Sequence, residues 1–182
     1  SARDIGNLAF SNATYNLAGG NTLTLDGLTT PTISVASGLT TSITAKLAGT
    51  VGLVKSGPGT LSLTAGSGDN YGNVYNQNIS GGLNITEGTV EFASEFIRME
   101  SVTIGNGATL RTTHPWATGS SSDFGLNGAS AGSFTVEAGG TLTSTTIANA
   151  FIQGLTLNGG SVTAPGITEP SWGAFIIASQ VT

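Results

Sequence analysis

Residues 53–63 read LVKSGPGTLSL and residues 83–90 read LNITEGTV, and these two segments decide the fold. In both, apolar and polar residues alternate on either side of a turn that contains glycine. Alternation with a period of two is typical of a β-strand that buries one face. We therefore interpret Leu53–Val90 as one repeat unit that is built from short strands and glycine turns.

The same pattern returns further along the chain. Its copies close on the apolar residues Val90, Leu110, Leu142 and Val162, which are 20, 32 and 20 residues apart. A basic period of about 20 residues with one insertion explains these steps, and it lies within the range of solenoid repeats. The spacing places the insertion at residues 111–132, a stretch rich in Ser, Gly and Ala.

Strands of three to five residues are too short to form a stable hairpin sheet by themselves. If each repeat makes one turn of a coil, its strands pair with those of the next coil at a distance of about 4.8 Å. We predict an all-β fold, a parallel β-helix (β-solenoid) of about seven or eight coils. Leu, Ile, Val and Phe would face inward, and Thr, Ser and Asn outward.

The two ends of the sequence lack the polar repeat that usually covers the end of a solenoid. We therefore expect uncapped ends. On the same ground, residues 1–182 are expected to be a single solenoid segment of a longer chain.

The composition excludes several functional classes. Only 8% of the residues are charged, the net charge is −5, and the five Lys and Arg residues are scattered, so no basic stripe is available for nucleic acid. No apolar run reaches the roughly 18 residues that a membrane-spanning helix requires. The chain has no cysteine, which rules out a disulfide scaffold.

The opening segments resemble the passenger-associated transport repeat, also called the autotransporter-associated β-strand repeat. Residues 53–63 match its opening, residues 70–72 its middle and residues 83–90 its close, with extra residues between Asn73 and Gly82. The resemblance implies a right-handed parallel β-helix in an autotransporter-like passenger segment. It also implies a non-catalytic protein that is exported across the outer membrane to the bacterial surface or secreted.

Aromatic residues in turn-rich segments are the candidates for ligand binding. His114 and Trp116 flank Pro115 at the start of the predicted insertion, and Tyr71 and Tyr75 lie between two strand segments. Trp116 would supply a stacking platform for a sugar, with His114 beside it. The alternative, which we favour, is a loop whose tryptophan folds back over the core.

Carboxylates are the candidates for catalysis, because polysaccharide hydrolysis uses a pair of them. Four acidic residues lie close together in sequence: Glu87, Glu91, Glu95 and Glu100. They are spread over turns, which favours solvated side chains, and Glu95 is expected to pair with Arg98. The Gly-x-Ser-x-Gly motif of serine hydrolases is absent. We therefore assign no catalytic residue, no metal site and no cofactor.

The leading hypothesis is a non-enzymatic structural β-solenoid module of a secreted or surface-displayed bacterial protein, a passenger stalk that aids display or secretion. One alternative is a subunit of an extracellular filament that joins other copies end to end. A second is an adhesin or glycan-binding module, and the least favoured is a polysaccharide lyase or hydrolase. The expected partners are flanking repeats, other copies, or host or surface glycans and proteins.

Overall fold

The protein is a stack of coils in a computed structural model that describes residues 3–4, 6–19, 21–25, 29–64, 77–94, 97–114, 117–118, 131–146, 150–165 and 175–182. The described residues form twenty short strands, and all neighbouring strands within the sheets are parallel. The predicted parallel β-helix is therefore confirmed. No helix in these ranges is long and apolar enough to cross a membrane.

Three parallel sheets run along the stack. Sheet A contains β1 (Arg3–Asp4), β4 (Leu23–Leu25), β7 (Leu47–Gly49), β10 (Gln77–Ile79) and β13 (Ile97–Met99). Sheet B contains β2 (Leu8–Phe10), β5 (Thr32–Val35), β8 (Leu53–Ser56), β11 (Leu83–Ile85), β14 (Ser101–Ile104), β16 (Ala131–Glu137), β18 (Ala150–Asn158) and β20 (Phe175–Val181). Sheet C contains β3 (Asn16–Leu17), β6 (Thr40–Ile43), β9 (Thr60–Leu63), β12 (Thr89–Phe92), β15 (Thr109–Thr112), β17 (Thr141–Ser144) and β19 (Ser161–Thr163).

The first five coils visit the sheets in the order A, B, C before the chain moves up to the next coil, whereas β16 to β20 lie in sheets B and C only. The eight strands of sheet B mark eight successive levels, which agrees with the predicted seven or eight coils. In the later coils the corner between sheets A and B straightens, because β13 and β14 are separated only by Glu100. Above them, β16 and β18 run on as single longer strands.

The register of the strands confirms the predicted repeat. Val90 pairs with Leu110, Leu110 with Leu142, and Leu142 with Val162, so the steps of 20, 32 and 20 residues each correspond to one coil. The opening segments also stack, since Leu53 pairs with Leu83. Leu53–Val90 therefore spans parts of two coils, because the chain must return through β10 of sheet A before it re-enters sheet B.

The core consists of columns of inward-facing side chains that follow the coils. One column on sheet C runs through Ile43, Leu63 and Phe92, each fully buried, and continues to the buried hydroxyl residues Thr112 and Ser144. The alternation seen in the sequence therefore identifies which side chains are inside. The pairing register stacks these inward side chains on one another from coil to coil.

The longest connections between the described strands all begin at the same corner of the coil. Residues 64–76, 113–130 and 164–174 each follow the end of a strand of sheet C. The connections from sheet B to sheet C are short in every coil. The predicted insertion at 111–132 begins within β15 and ends within β16, and residues 115–116 and 119–130 of it lie outside the described residues, so its conformation stays a prediction.

The short corner between sheets B and C depends on backbone contact between glycines. Gly88 has φ +72°, and a Cβ atom added to it would overlap the carbonyl oxygens of Gly57 and Gly59 in the coil below. Gly107, one coil above, has nearly the same φ of +71°, but a Cβ atom added there would meet nothing within 4 Å. Substitutions at these two glycines therefore distinguish the free-energy cost of a left-handed backbone from that of a clash between coils.

We expect Gly88→Ala to destabilise the solenoid much more than Gly107→Ala. Both substitutions carry the cost of a left-handed backbone, about 1–2 kcal/mol, and only Gly88→Ala adds a clash between coils, which costs about 1–3 kcal/mol more. Urea unfolding of the two variants measures the difference. Equal losses in the two variants would contradict the close stacking at this corner.

Candidate functional site

The aromatic candidates from the sequence lie on the connections that follow sheet C. His114 is half-buried just after β15, and its carbonyl oxygen accepts a hydrogen bond from the backbone N–H of Ala117 at 3.3 Å. The carbonyl of Ala117 in turn accepts from the N–H of Ile97 at 2.8 Å, which ties this turn to β13. Trp116, Tyr71 and Tyr75 lie outside the described residues, so the proposed sugar platform stays a prediction.

The carboxylates near residue 90 occupy different parts of the coils. Glu87 is exposed at the corner between sheets B and C, Glu91 points outward from sheet C, and Glu100 is exposed between β13 and β14. Glu95 lies outside the described residues, and with it the expected pair with Arg98. Among the residues that the structure describes, no group of three or more His, Cys, Asp or Glu side chains is placed to hold a metal ion.

A lysine is buried in the hydrophobic core. Lys55 is fully covered by its surroundings and stands in a column between Ile33 and Ile85, its partners in the strands below and above. Its ammonium group donates hydrogen bonds to the carbonyl oxygens of Gly57 at 2.6 Å and Glu87 at 3.0 Å. Lys55 thereby joins the B-to-C corners of two successive coils from the inside.

The environment of Lys55 changes its protonation equilibrium. Burial lowers the pKa of Lys55 from 10.5 to about 8, and the nearby carboxylate of Glu87 opposes this effect by favouring the charged form. The sequence carries the signal for this position, since Lys55 is two residues from the inward-facing Leu53 and so shares its face. By its charge alone, Lys55 is only one of five scattered Lys and Arg residues.

The outer surface of sheet C is a regular array of polar side chains. We call its outward residues on β12, β15, β17 and β19 the hydroxyl face. One row of this face is Thr89, Thr109, Thr141 and Ser161, and the other is Glu91, Arg111, Thr143 and Thr163. Every strand in it is in continuous register with its neighbours, so the rows run straight along the solenoid.

An ion pair lies within the hydroxyl face. Arg111 Nε donates to Glu91 Oε1 at 2.8 Å, and Arg111 Nη2 contacts the same oxygen. The two residues are partners in β12 and β15, 20 residues apart, so the repeat period itself predicts their contact. The residues next to Glu91 in the sequence give no sign of this pair, which is found only when positions one repeat apart are compared.

One comparison with known proteins gives a similar sequence. A stretch of 112 residues is 38% identical to the adhesin BmaC autotransporter of Brucella suis biovar 1 (strain 1330). The matching stretch is 60% of this chain but only 3% of that protein, so the chain corresponds to a small part of a far longer relative. The similarity supports an autotransporter passenger-like segment.

The other two comparisons give no match. No protein-family model matches the chain. No solved structure matches it either. The resemblance to the passenger-associated transport repeat therefore remains a prediction from residues 53–90.

The pKa of Lys55 predicts how stability depends on pH. Because the folded-state pKa is below the unfolded one, the unfolded chain binds more protons between about pH 8 and 10.5, and the free energy of unfolding rises with pH in that window. We expect Lys55→Met to lose this rise. Lys46→Met, a change at an exposed lysine, serves as the control and should keep it. Denaturant unfolding at several pH values measures the effect, and a rise that persists in Lys55→Met would contradict the assignment.

Proposed function

We propose that the chain is a solenoid module in the passenger of a bacterial autotransporter, exported across the outer membrane and displayed at the cell surface or secreted. In that setting it serves as a non-enzymatic structural stalk. The observation that carries the proposal is the similarity to an autotransporter adhesin in a chain whose described residues form a continuous stack of parallel coils.

The nearest-neighbour contacts of the stacked coils are suited to an extended stalk. Each coil contacts only the coils next to it, so the structure can grow by the addition of one coil to the last. Each added coil extends the rod by about 4.8 Å through backbone hydrogen bonds that run along its axis. The outer surface of sheet C carries one internally neutralised ion pair among uncharged hydroxyl side chains.

Deletion of one whole coil tests the stalk in the full-length protein. Phe92 and Thr112 occupy equivalent positions in β12 and β15, so deletion of residues 93–112 joins two points of the same register. We expect this variant to be displayed at close to the wild-type level, because every remaining strand still finds its partner. Protease treatment of intact cells, followed by detection of an epitope tag, measures the display.

A deletion of half a coil is the matched control. Removal of residues 93–102 places residues 107–109, from the B-to-C corner and the start of β15, at the sheet A positions of β13, so the coils above lose their register and display should fall sharply. Equal loss in both deletion variants would contradict a role that depends only on stacking. Retention of the wild-type protein inside the cell would contradict surface display.

A second candidate function is adhesion, which is favoured by the description of the relative as an adhesin. Its contacts would come from the connections that follow sheet C, where Tyr71, Tyr75 and Trp116 lie in sequence. The segments 64–76 and 113–130 follow β9 and β15 of sheet C, so they begin at the same corner of the coil, two coils apart.

Alanine substitutions test adhesion through the loops. Under this second candidate, Trp116→Ala and Tyr71→Ala reduce binding of the purified chain to a glycan array, because stacking of an aromatic ring on the sugar is lost. The control is Tyr15→Ala, which removes a 48% exposed aromatic side chain from the short corner between sheets B and C. Binding that is unchanged in the loop variants would contradict this candidate.

A further inference from the structure

The hydroxyl face carries hydrogen-bonding groups that its own contacts do not saturate. Both contacting nitrogen atoms of Arg111 meet the same oxygen of Glu91, Oε1. The guanidinium group of Arg111 therefore does not use all of its N–H donors on Glu91, and Oε2 of Glu91 accepts no hydrogen bond from it. The side chain of Arg111 is 40% exposed and that of Glu91 18% exposed, so solvent or a ligand reaches both.

The hydroxyl groups beside the ion pair are ordered by their neighbours. Thr141 Oγ1 and Ser161 Oγ are 3.2 Å apart, and Thr163 Oγ1 donates to Thr143 Oγ1 at 2.8 Å. A hydroxyl group has one donor and two acceptor positions, so each of these groups keeps hydrogen-bonding capacity toward the outside. The rows repeat about every 4.8 Å along the solenoid.

This pattern of groups matches the chemistry of a sugar chain. A sugar ring presents adjacent hydroxyl groups, which can donate to one carboxylate and accept from one guanidinium at the same time. A polysaccharide repeats those groups along a line, as the rows of the hydroxyl face do. The charges of Glu91 and Arg111 cancel, so the face offers no net attraction to an anionic polymer.

We propose that the hydroxyl face binds a neutral polysaccharide that lies along the solenoid axis, with Glu91 and Arg111 holding one sugar unit between them. The inference deepens the proposed function and rests on it, since a displayed solenoid would meet polysaccharides at the cell surface. It places the glycan contact on the strands of sheet C, apart from the loop aromatics.

Affinity electrophoresis of the purified chain tests the proposal. The gels contain dextran, yeast mannan or xyloglucan as neutral polysaccharides, or heparin or alginate as acidic ones. We expect at least one neutral polysaccharide to retard the wild-type chain, and Glu91→Gln/Arg111→Gln to bind it about tenfold more weakly, which corresponds to roughly 1.4 kcal/mol. Glu137→Gln is the matched control, because Glu137 is an outward glutamate on sheet B that contacts Asn158.

A second variant keeps the test decisive if the double variant fails to fold. Thr109→Val/Thr141→Val replaces two hydroxyl groups by methyl groups of similar size in β-strands, and it should also weaken retardation. Thermal unfolding of each variant checks its fold. The loop variant Trp116→Ala should be retarded like the wild-type chain.

Three results in the gels would overturn the proposal: no retardation by any neutral polysaccharide, retardation by heparin or alginate alone, or equal retardation of the wild-type chain and the face variants. A fourth would be sedimentation of the chain as a dimer that the face variants abolish. The last result would assign the face to a second copy. Because the assay uses purified protein, any of these can occur while the full-length protein is still displayed, which separates this failure from failure of the proposed function.

Discussion

The whole structure depends on the parallel pairing of each coil with the coils below and above it. Strands of two to four residues have too little buried surface to be stable alone, and pairing on both sides supplies the backbone hydrogen bonds that they lack. The pairing also requires each coil to bring its strands back to the same sheets as the coil below. This single constraint explains the apolar columns, the glycine corner and the position of the long connections.

The constraint acts differently at the corners of the coil. Between sheets B and C, Gly88 lies against the carbonyl groups of the coil below, so a side chain at this position has no room. After sheet C the number of residues before the next strand differs from coil to coil, as between β15, which ends at Thr112, and β16, which begins at Ala131. Differences in coil length are therefore largest at this corner among the described strands.

Lys55 departs from the rule that the columns are apolar. Its long methylene stem fills the position that isoleucine takes in the coils on either side, and its ammonium group reaches the carbonyl groups of Gly57 and Glu87. A buried polar group is tolerated when it is hydrogen-bonded, and here it satisfies turn carbonyls that would otherwise face the core. Lys55 therefore fills the core with its stem and links the B-to-C corners of two successive coils through its hydrogen bonds.

The fold class and the order of the coils follow from the amino-acid pattern alone. Alternation identifies the inward side chains, and the spacing of Val90, Leu110 and Leu142 gives the register of three successive coils. Both are local properties that repeat along the chain, so they can be read without knowledge of distant contacts.

Contacts that depend on where the coils begin and end require the folded structure. It divided Leu53–Val90 between two coils, and it joined the ammonium group of Lys55 to the carbonyl oxygen of Glu87, 32 residues further along the chain. These outcomes depend on how far the chain travels before it returns to the same sheet. That distance is set by connections of different length, and no local pattern in the sequence records where they close.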